Sequence, residues 1–241
     1  MAIRFEQRMF EEAGGEWSDG HACNQALDQL SSSRVSKIEA IGVLKKSKIA
    51  WKYATLRQAI TYRIVDLGEA AIREWSDNNT LSALIIARAF IETVAFLHYI
   101  LIHAEKALLL NDIDALDKNI MIAHFGGRHE HWKLNGLEAI NVLKALDVMT
   151  KKIPRTRDFY ERISEICHPN SQGVSQFYST LDRERVVVTF SRTKRDRNSV
   201  FSHIMGALLC AQWAIILFDD YDKCVECIAK LQVSSSNSDL G

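Results

Sequence analysis

Proline and glycine are scarce in this sequence. It contains 2 prolines and 11 glycines in 241 residues, whereas average usage of about 12% would give roughly 29 such residues. Because both residue types break helices and form turns, their shortage predicts long uninterrupted helices and argues against a β-sandwich, a barrel or a disordered chain. The two prolines, Pro154 and Pro169, lie close together in the chain.

The chain also lacks an excess of charge of either sign, with 30 basic and 30 acidic residues. A protein that wraps nucleic acid by bulk electrostatics is basic overall, so nucleic-acid binding here requires a local basic patch. No signal peptide is recognisable in the first residues, MAIRFEQRMFEE, and the five cysteines are an odd number in a chain of this size. These features predict a reduced, cytoplasmic protein.

One stretch, residues 81–102, is apolar enough to raise the question of a membrane span. It contains Arg88, Glu92 and His98, and each charge near the centre of a membrane costs about 2.5–3.5 kcal/mol on insertion scales. We therefore predict a buried helix of a soluble protein and no membrane association.

The pattern of the whole chain predicts an elongated all-α bundle with one small β-hairpin before its last helix. Residues 1–33 are interpreted as an N-terminal helical appendage, 34–231 as the bundle with the hairpin at 174–191, and 232–241 as a flexible tail. The hairpin turn is placed at 181–184. Apolar periodicity and capping residues predict helices over 34–46, 47–75, 81–104, 112–125, 136–152, 155–168 and 199–231.

The segment FYERISEICHPNSQG, residues 159–173, carries Arg162 and His168 with five residues between them. Cleavage of RNA needs a base that accepts the 2′-hydroxyl proton and a cation that stabilises the charge developing on the phosphate. Histidine suits the first role near neutral pH, and a guanidinium suits the second. The alternative interpretation is structural: His168 caps a helix C-terminus and interacts with Glu165.

Helix geometry sets a condition on this pair. At about 100° per residue, positions six apart differ by about 120° around a helix. Arg162 and His168 therefore converge only if the last turn unwinds before Pro169, or if two subunits each contribute one of them.

On these residues the chain resembles the HEPN superfamily, all-helical and mostly prokaryotic bundles. Ribonuclease members of that family carry an arginine, four to six residues and then a histidine, as Arg162 and His168 do here. The His-Pro pair with its polar turn and the upstream helix SALIIARAFIETVAFLHYI are also similar, and the resemblance covers residues 49–231 in architecture.

The resemblance implies a metal-independent endoribonuclease without a cofactor. It further implies a homodimer whose site combines Arg162 and His168 from both subunits, with RNA as the ligand. The setting would be a toxin or antiphage defence system, with an antitoxin or defence protein as partner. The alternative function is a non-catalytic helical module that dimerises or docks a partner.

Arg88 and Glu92 are spaced i, i+4 on the most apolar helix and share the phase of its inward residues. Because burial of a single charge is costly, each is predicted to be the partner of the other. The structural interpretation is an ion pair that fixes the register of the bundle. The functional alternative is a polar pocket that holds a nucleotide or another substrate.

Two stretches, 144–157 and 183–197, are locally basic and flank the Arg162/His168 segment. They are interpreted either as an RNA-backbone-binding patch or as two solvated loops. The predicted backbone-binding residues are Lys151, Lys152, Arg155, Arg157, Arg192, Lys194 and Arg195.

Histidines and cysteines elsewhere predict no metal site. His124, His129 and His131 lie within eight residues, but no carboxylate or thiolate set completes a ligand sphere, so a solvated loop is predicted. Cys224 and Cys227 form a lone CxxC late in a helix and are interpreted as ordinary helix cysteines.

Overall fold

A computed structural model describes residues 2–192 and 194–238. Over these ranges the chain forms an all-α bundle with one two-stranded antiparallel hairpin, which confirms the predicted fold class. The helices are α1 Gln7–Glu12, α2 Trp17–Ser32, α3 Gly42–Lys46, α4 Lys48–Ser76, α5 Thr80–Leu109, α6 Ile113–Phe125, α7 Glu130–Leu134, α8 Val142–Thr150, α9 Thr156–Cys167, α10 Ser175–Tyr178, α11 Arg197–Leu208 and α12 Cys210–Ser238. The strands are β1 Ser179–Asp182 and β2 Val187–Phe190.

Helix α5 lies at the centre of the bundle and packs against α4, α6, α8, α9, α11 and α12. Its buried residues, among them Leu84, Phe90, Val94 and Leu101, cover most of its circumference, and Ile85 marks the exposed remainder. A helix that is apolar nearly all round needs neighbours on every face, which is why this one is enclosed.

Capping residues set the ends of the long helices. The Ser47 side chain accepts a hydrogen bond from the Ala50 amide at the start of α4, and Asp112 accepts one from the Ala115 amide at the start of α6. Asn78, with φ of 61°, ends the turn between α4 and α5. Each cap satisfies an amide that has no partner inside its helix.

The N-terminal helices share the core of the bundle. Phe10 packs edge-to-face against Phe5 and Phe201, with ring centroids 5.1 and 4.8 Å apart. Leu27 of α2 is fully buried, and a Cβ at Gly68 of α4 would lie 2.7 Å from its side chain. The segment predicted as an appendage, 1–33, therefore packs directly on α4 and α12.

Two predicted helices are wrong in extent. The helix predicted over 34–46 is reduced to the single turn of α3, because Ile41 and Val43, 65% and 61% exposed, meet no core that would stabilise it. The helix predicted from 136 begins only at Val142, where the Asn141 side chain accepts from the Leu143 amide.

The end of the chain also differs in detail. The last predicted helix is divided at Leu209 into α11 and α12. Helix α12 continues to Ser238, into the stretch predicted as a flexible tail, and residues 239–241 lie outside the described part. Residues 175–178, predicted as strand, form α10, and the hairpin turn occupies 183–186 instead of 181–184.

Two helical stretches are long and apolar enough to cross a membrane by length and composition, Thr80–Leu109 and Arg197–Ser234. Of their most apolar windows, 56% and 50% of the residues are buried inside the bundle. Core helices of soluble proteins meet the same criterion, so this finding is compatible with a soluble protein.

Candidate functional site

Helix α9 carries the predicted catalytic pair, and its ends are set by the two prolines. It begins after Arg155, whose φ of 67° turns the chain sharply behind Pro154. It ends because His168 is extended, with φ −77° and ψ 148°, as the residue before a proline prefers. The His168 amide still donates to the Ser164 carbonyl at 3.0 Å, so the last helical turn stays closed.

The two members of the pair lie on different cavities. His168 lines a cleft of about 830 Å³ bounded by α5, α9 and residues 138–143. Arg162 lines a neighbouring cavity of about 550 Å³, together with Gln172 and His203, and Glu161 and Glu165 of α9 line both cavities. Within one chain the pair therefore does not line one site, as its helical phase indicates, and its catalytic role stays a prediction.

A hydrogen-bonded cluster forms one wall of the cleft that contains His168. Arg88 Nε donates to Glu92 Oε1 at 3.1 Å, so the two are partners as their spacing predicts, but their side chains are 28% and 31% exposed and line cavities instead of being buried. Arg88 Nη2 donates to the Tyr160 hydroxyl at 3.0 Å, and that hydroxyl donates to Glu92 Oε1 at 2.7 Å. Tyr160 thus ties α9 to α5 through one carboxylate oxygen.

The Arg88 guanidinium keeps donors for a ligand. Its side chain lines the cleft and is 28% exposed, and its plane lies over the Tyr160 ring at 5.3 Å from the centroid. Among the residues the structure describes, none accepts a hydrogen bond from Arg88 Nη1. Burial, and then the hydrogen bond to Glu92, raise the pKa of Tyr160 above its usual value, so its hydroxyl stays protonated as a donor.

The outer part of the cleft has mixed charge. Its charged lining residues, beyond Arg88, are Arg128, Lys133, Glu138, Arg157, Glu161 and Glu165. Arg157 is held by Asp147 and Glu161, at 2.9 and 2.6 Å. Over the ranges described, no carboxylate pairs with Arg128, and the Lys133 ammonium lies 3.9 Å from Glu138, beyond hydrogen-bond distance. These two side chains and Arg88 have donors available toward the cleft.

Most predicted RNA-backbone residues lie away from this cleft, and Arg157 alone among them lines it. Lys151, Lys152 and Arg155 are exposed at the turn between α8 and α9. No cavity described above includes them.

The basic residues after the hairpin make local contacts. Arg192 donates to the Asn79 side chain at 2.9 Å, and Lys194 contacts the Ser179 carbonyl. The Arg195 guanidinium lies 5.2 Å from the Phe177 ring centroid. The two basic stretches therefore flank α9 in sequence without forming one continuous lining of the cleft.

The cavity around Arg162 contains a histidine that the sequence did not single out. His203 of α11 stacks on Phe159 with ring centroids 6.2 Å apart. Burial, and then the nearby Arg195 and Arg162, lower the pKa of His203. Its Nδ1 is buried without a hydrogen-bond partner in the described ranges.

An apolar cavity adjoins the cleft, between α4, α5 and α8. It has a volume of about 370 Å³, and its lining includes Leu56, Ile60 and Phe96. A third cavity of about 400 Å³ lies beside α6. Ile140 lines all three cavities, and Val142 lines the cleft and the apolar cavity.

The histidines of the 124–131 loop make local contacts. His124 Nε2 lies 2.9 Å from the Lys52 carbonyl oxygen. Within the described ranges, no group of three or more His, Cys, Asp or Glu side chains is placed to hold a metal ion. Cys224 is buried and Cys227 exposed, and both are free thiols.

Sequence and structure comparisons complete the description of the site. No protein-family model, no curated protein and no solved structure matches this chain. Only the residues of the cleft and their geometry therefore indicate a function.

Proposed function

We propose that the chain is an HEPN-like cytoplasmic protein that binds RNA and cleaves it without a metal ion or cofactor, within a toxin or antiphage defence system. The observation that carries the proposal is that His168, Arg88 and Tyr160 line one cleft. An imidazole that accepts a proton and a guanidinium that stabilises the developing negative charge are groups that support metal-free phosphodiester cleavage.

In the proposed reaction the RNA phosphate binds to Arg88 Nη1 and to Arg128 at the mouth of the cleft. His168 accepts the proton of the neighbouring 2′-hydroxyl, whose oxygen attacks the phosphorus. The bond from phosphorus to the 5′-oxygen breaks, and that oxygen takes a proton from water. The hydroxide that remains takes the proton held by His168, which returns both to their starting state. The products are a 2′,3′-cyclic phosphate and a free 5′-hydroxyl.

Arg88 takes within one chain the clamping role that the sequence predicts for Arg162. Arg162 lines the neighbouring cavity and not the cleft, so in the proposed reaction it acts as the clamp only where a homodimer places it at the cleft of the partner subunit. The proposed homodimer is therefore an alternative source of the clamp.

The experiment is cleavage of single-stranded RNA by the purified protein in EDTA. We expect cyclic-phosphate ends in the wild type and a loss of about 10²- to 10⁴-fold in His168→Ala, the range for removal of a general base. His129→Ala, an exposed histidine outside the cleft, is the matched control and should cleave normally. Absence of cleavage in the wild type, or equal cleavage in His168→Ala, would contradict the proposal.

A second candidate is the non-catalytic docking module, which the hairpin favours. Its register places Leu181, Val188 and Phe190 on one face, and these side chains are 54%, 47% and 79% exposed. If the wild type binds a partner protein and cleaves no RNA, this second function replaces the first.

A further inference from the structure

We infer that the apolar cavity beside the cleft is a nucleobase subsite: it holds the base of the nucleotide whose phosphate lies at Arg88. The inference rests on the proposed function and adds to it a class of substrate, single-stranded RNA with an unstacked base. The cavity volume of about 370 Å³ falls in the range of small-molecule sites, about 300–1,000 Å³.

The walls of the subsite are suited to an aromatic ring. Leu56 and Ile60 of α4 form its buried apolar side, and Ala145 of α8 contributes a small side chain that leaves room. Phe96 of α5 also lines the subsite, and its side chain is half-buried. A partly exposed aromatic side chain in an apolar cavity offers a base a stacking surface, and any base can use it.

Polar groups lie at the rim, where a base has its polar edge. Arg63 Nε donates to Thr93 Oγ1 at 3.0 Å, and that hydroxyl donates to the Ala89 carbonyl at 2.8 Å. In the part of the chain described, the terminal nitrogens of Arg63 have no acceptor. They can donate to a carbonyl or ring nitrogen of a base, and the Glu92 carboxylate can accept from an exocyclic amine.

The subsite and the cleft adjoin each other. Arg88 lines the cleft, Glu92 one turn later lines the subsite, and the two are joined by the 3.1 Å hydrogen bond. Ile140 and Val142 line both spaces. A nucleotide has the chemistry to place its phosphate at Arg88 and its base beside Glu92.

The position of the subsite between helices determines which form of nucleic acid can bind, single-stranded or duplex. A base inside a duplex is paired and stacked, so it cannot enter a cavity between helices without leaving the stack. The subsite therefore accepts bases of single-stranded RNA and excludes those of a duplex.

The test is calorimetric titration of the full chain with AMP, ribose 5-phosphate and inorganic phosphate. We expect AMP to bind about tenfold more tightly than ribose 5-phosphate, because stacking of a base on an aromatic side chain contributes about 1–3 kcal/mol. Phe96→Ala should remove this difference and leave the affinity for inorganic phosphate unchanged. Phe125→Ala, an exposed phenylalanine outside the subsite, is the matched control.

A second variant protects the test against misfolding. Ala59 lines the subsite and is exposed, so Ala59→Phe fills the space from the surface of α4 without disturbing the core. We expect it to weaken AMP binding to the level of ribose 5-phosphate, with thermal unfolding as in the wild type.

The outcomes separate the two proposals. If the wild type binds AMP and ribose 5-phosphate equally, the nucleobase subsite is overturned and the phosphate-binding cleft stands. If AMP, ribose 5-phosphate and inorganic phosphate all fail to bind, the cleft and the subsite are overturned together. If Ala59→Phe keeps the preference for AMP, the base binds elsewhere and the subsite is overturned.

Discussion

The two sides of helix α9 each combine one arginine with one histidine, in different surroundings. On one side, Arg88 and His168 share a cleft with the Tyr160 hydroxyl. On the other, Arg162 and His203 line a cavity of about 550 Å³, and the His203 ring stacks on Phe159. The spacing in the sequence suggests Arg162 and His168 as a pair. In the fold, His168 shares a cavity with Arg88 of α5, and Arg162 shares one with His203 of α11.

The two sides also differ in how the cation is held. The Arg88 guanidinium is fixed by three hydrogen bonds to Tyr160 and Glu92, whereas no described carboxylate pairs with Arg162. On the second side the histidine is neutral, because burial lowers its pKa. A fixed cation with spare donors is the better phosphate clamp, since less side-chain freedom is lost on binding.

The largest expected effect compares the two arginines. Arg88→Lys should lower RNA cleavage by about 10- to 150-fold, the equivalent of the roughly 1.5–3 kcal/mol of a hydrogen bond to a charged group. Arg162→Lys should cleave within about twofold of the wild type, since Arg162 does not line the cleft of its own chain. A larger loss in Arg162→Lys than in Arg88→Lys would place the clamp across a dimer axis.

The next effect concerns stability, because Tyr160 is the link between α9 and α5. Tyr160→Phe removes the hydroxyl that contacts Arg88 and Glu92, and should lower the free energy of unfolding by about 1–3 kcal/mol in urea. Tyr178→Phe is the control, since the described residues offer its hydroxyl no hydrogen bond. Equal stability of the two variants would show that the cluster does not hold α9.

The smallest effect is a pH dependence on the second side of α9. The folded-state pKa of His203 is lowered by burial, so its contribution to stability is present above the unfolded value of about 6.5 and is lost as pH falls below it. We expect His203→Gln to flatten the decline in stability between pH 7 and pH 5. Burial also lowers the pKa of His98 and His103, so part of the decline should remain, and an unchanged slope would contradict the assignment.

Much of the fold follows from local signals. The ends of α4, α6 and α9 agree with the prediction within one or two residues, because Ser47, Asp112 and the two prolines mark them. The prediction is wrong over 34–41 and 136–141, where an apolar period exists but its residues contact little of the core. A periodic pattern gives a helix only when another element covers its apolar face.

Fewer features of the candidate site can be predicted from the sequence. The i, i+4 spacing gives the Arg88–Glu92 pair, and helical phase indicates that Arg162 and His168 diverge. Tyr160 and His203 carry no such signal, because their contacts join helices that are far apart in the chain. Only the packing of α9 between α5 and α11 reveals them.

Ile140 carries a consequence for how specificity can change in this protein. Its side chain borders the cleft, the apolar cavity and the third cavity at once. A substitution of Ile140 changes the volumes of all three cavities together. The preference for a base and the affinity for a phosphate therefore cannot be changed separately at this position. Independent tuning is open to Phe96 and Arg128, each of which borders one of these spaces. We therefore expect a library randomised at Ile140 to yield variants in which base preference and phosphate affinity change together.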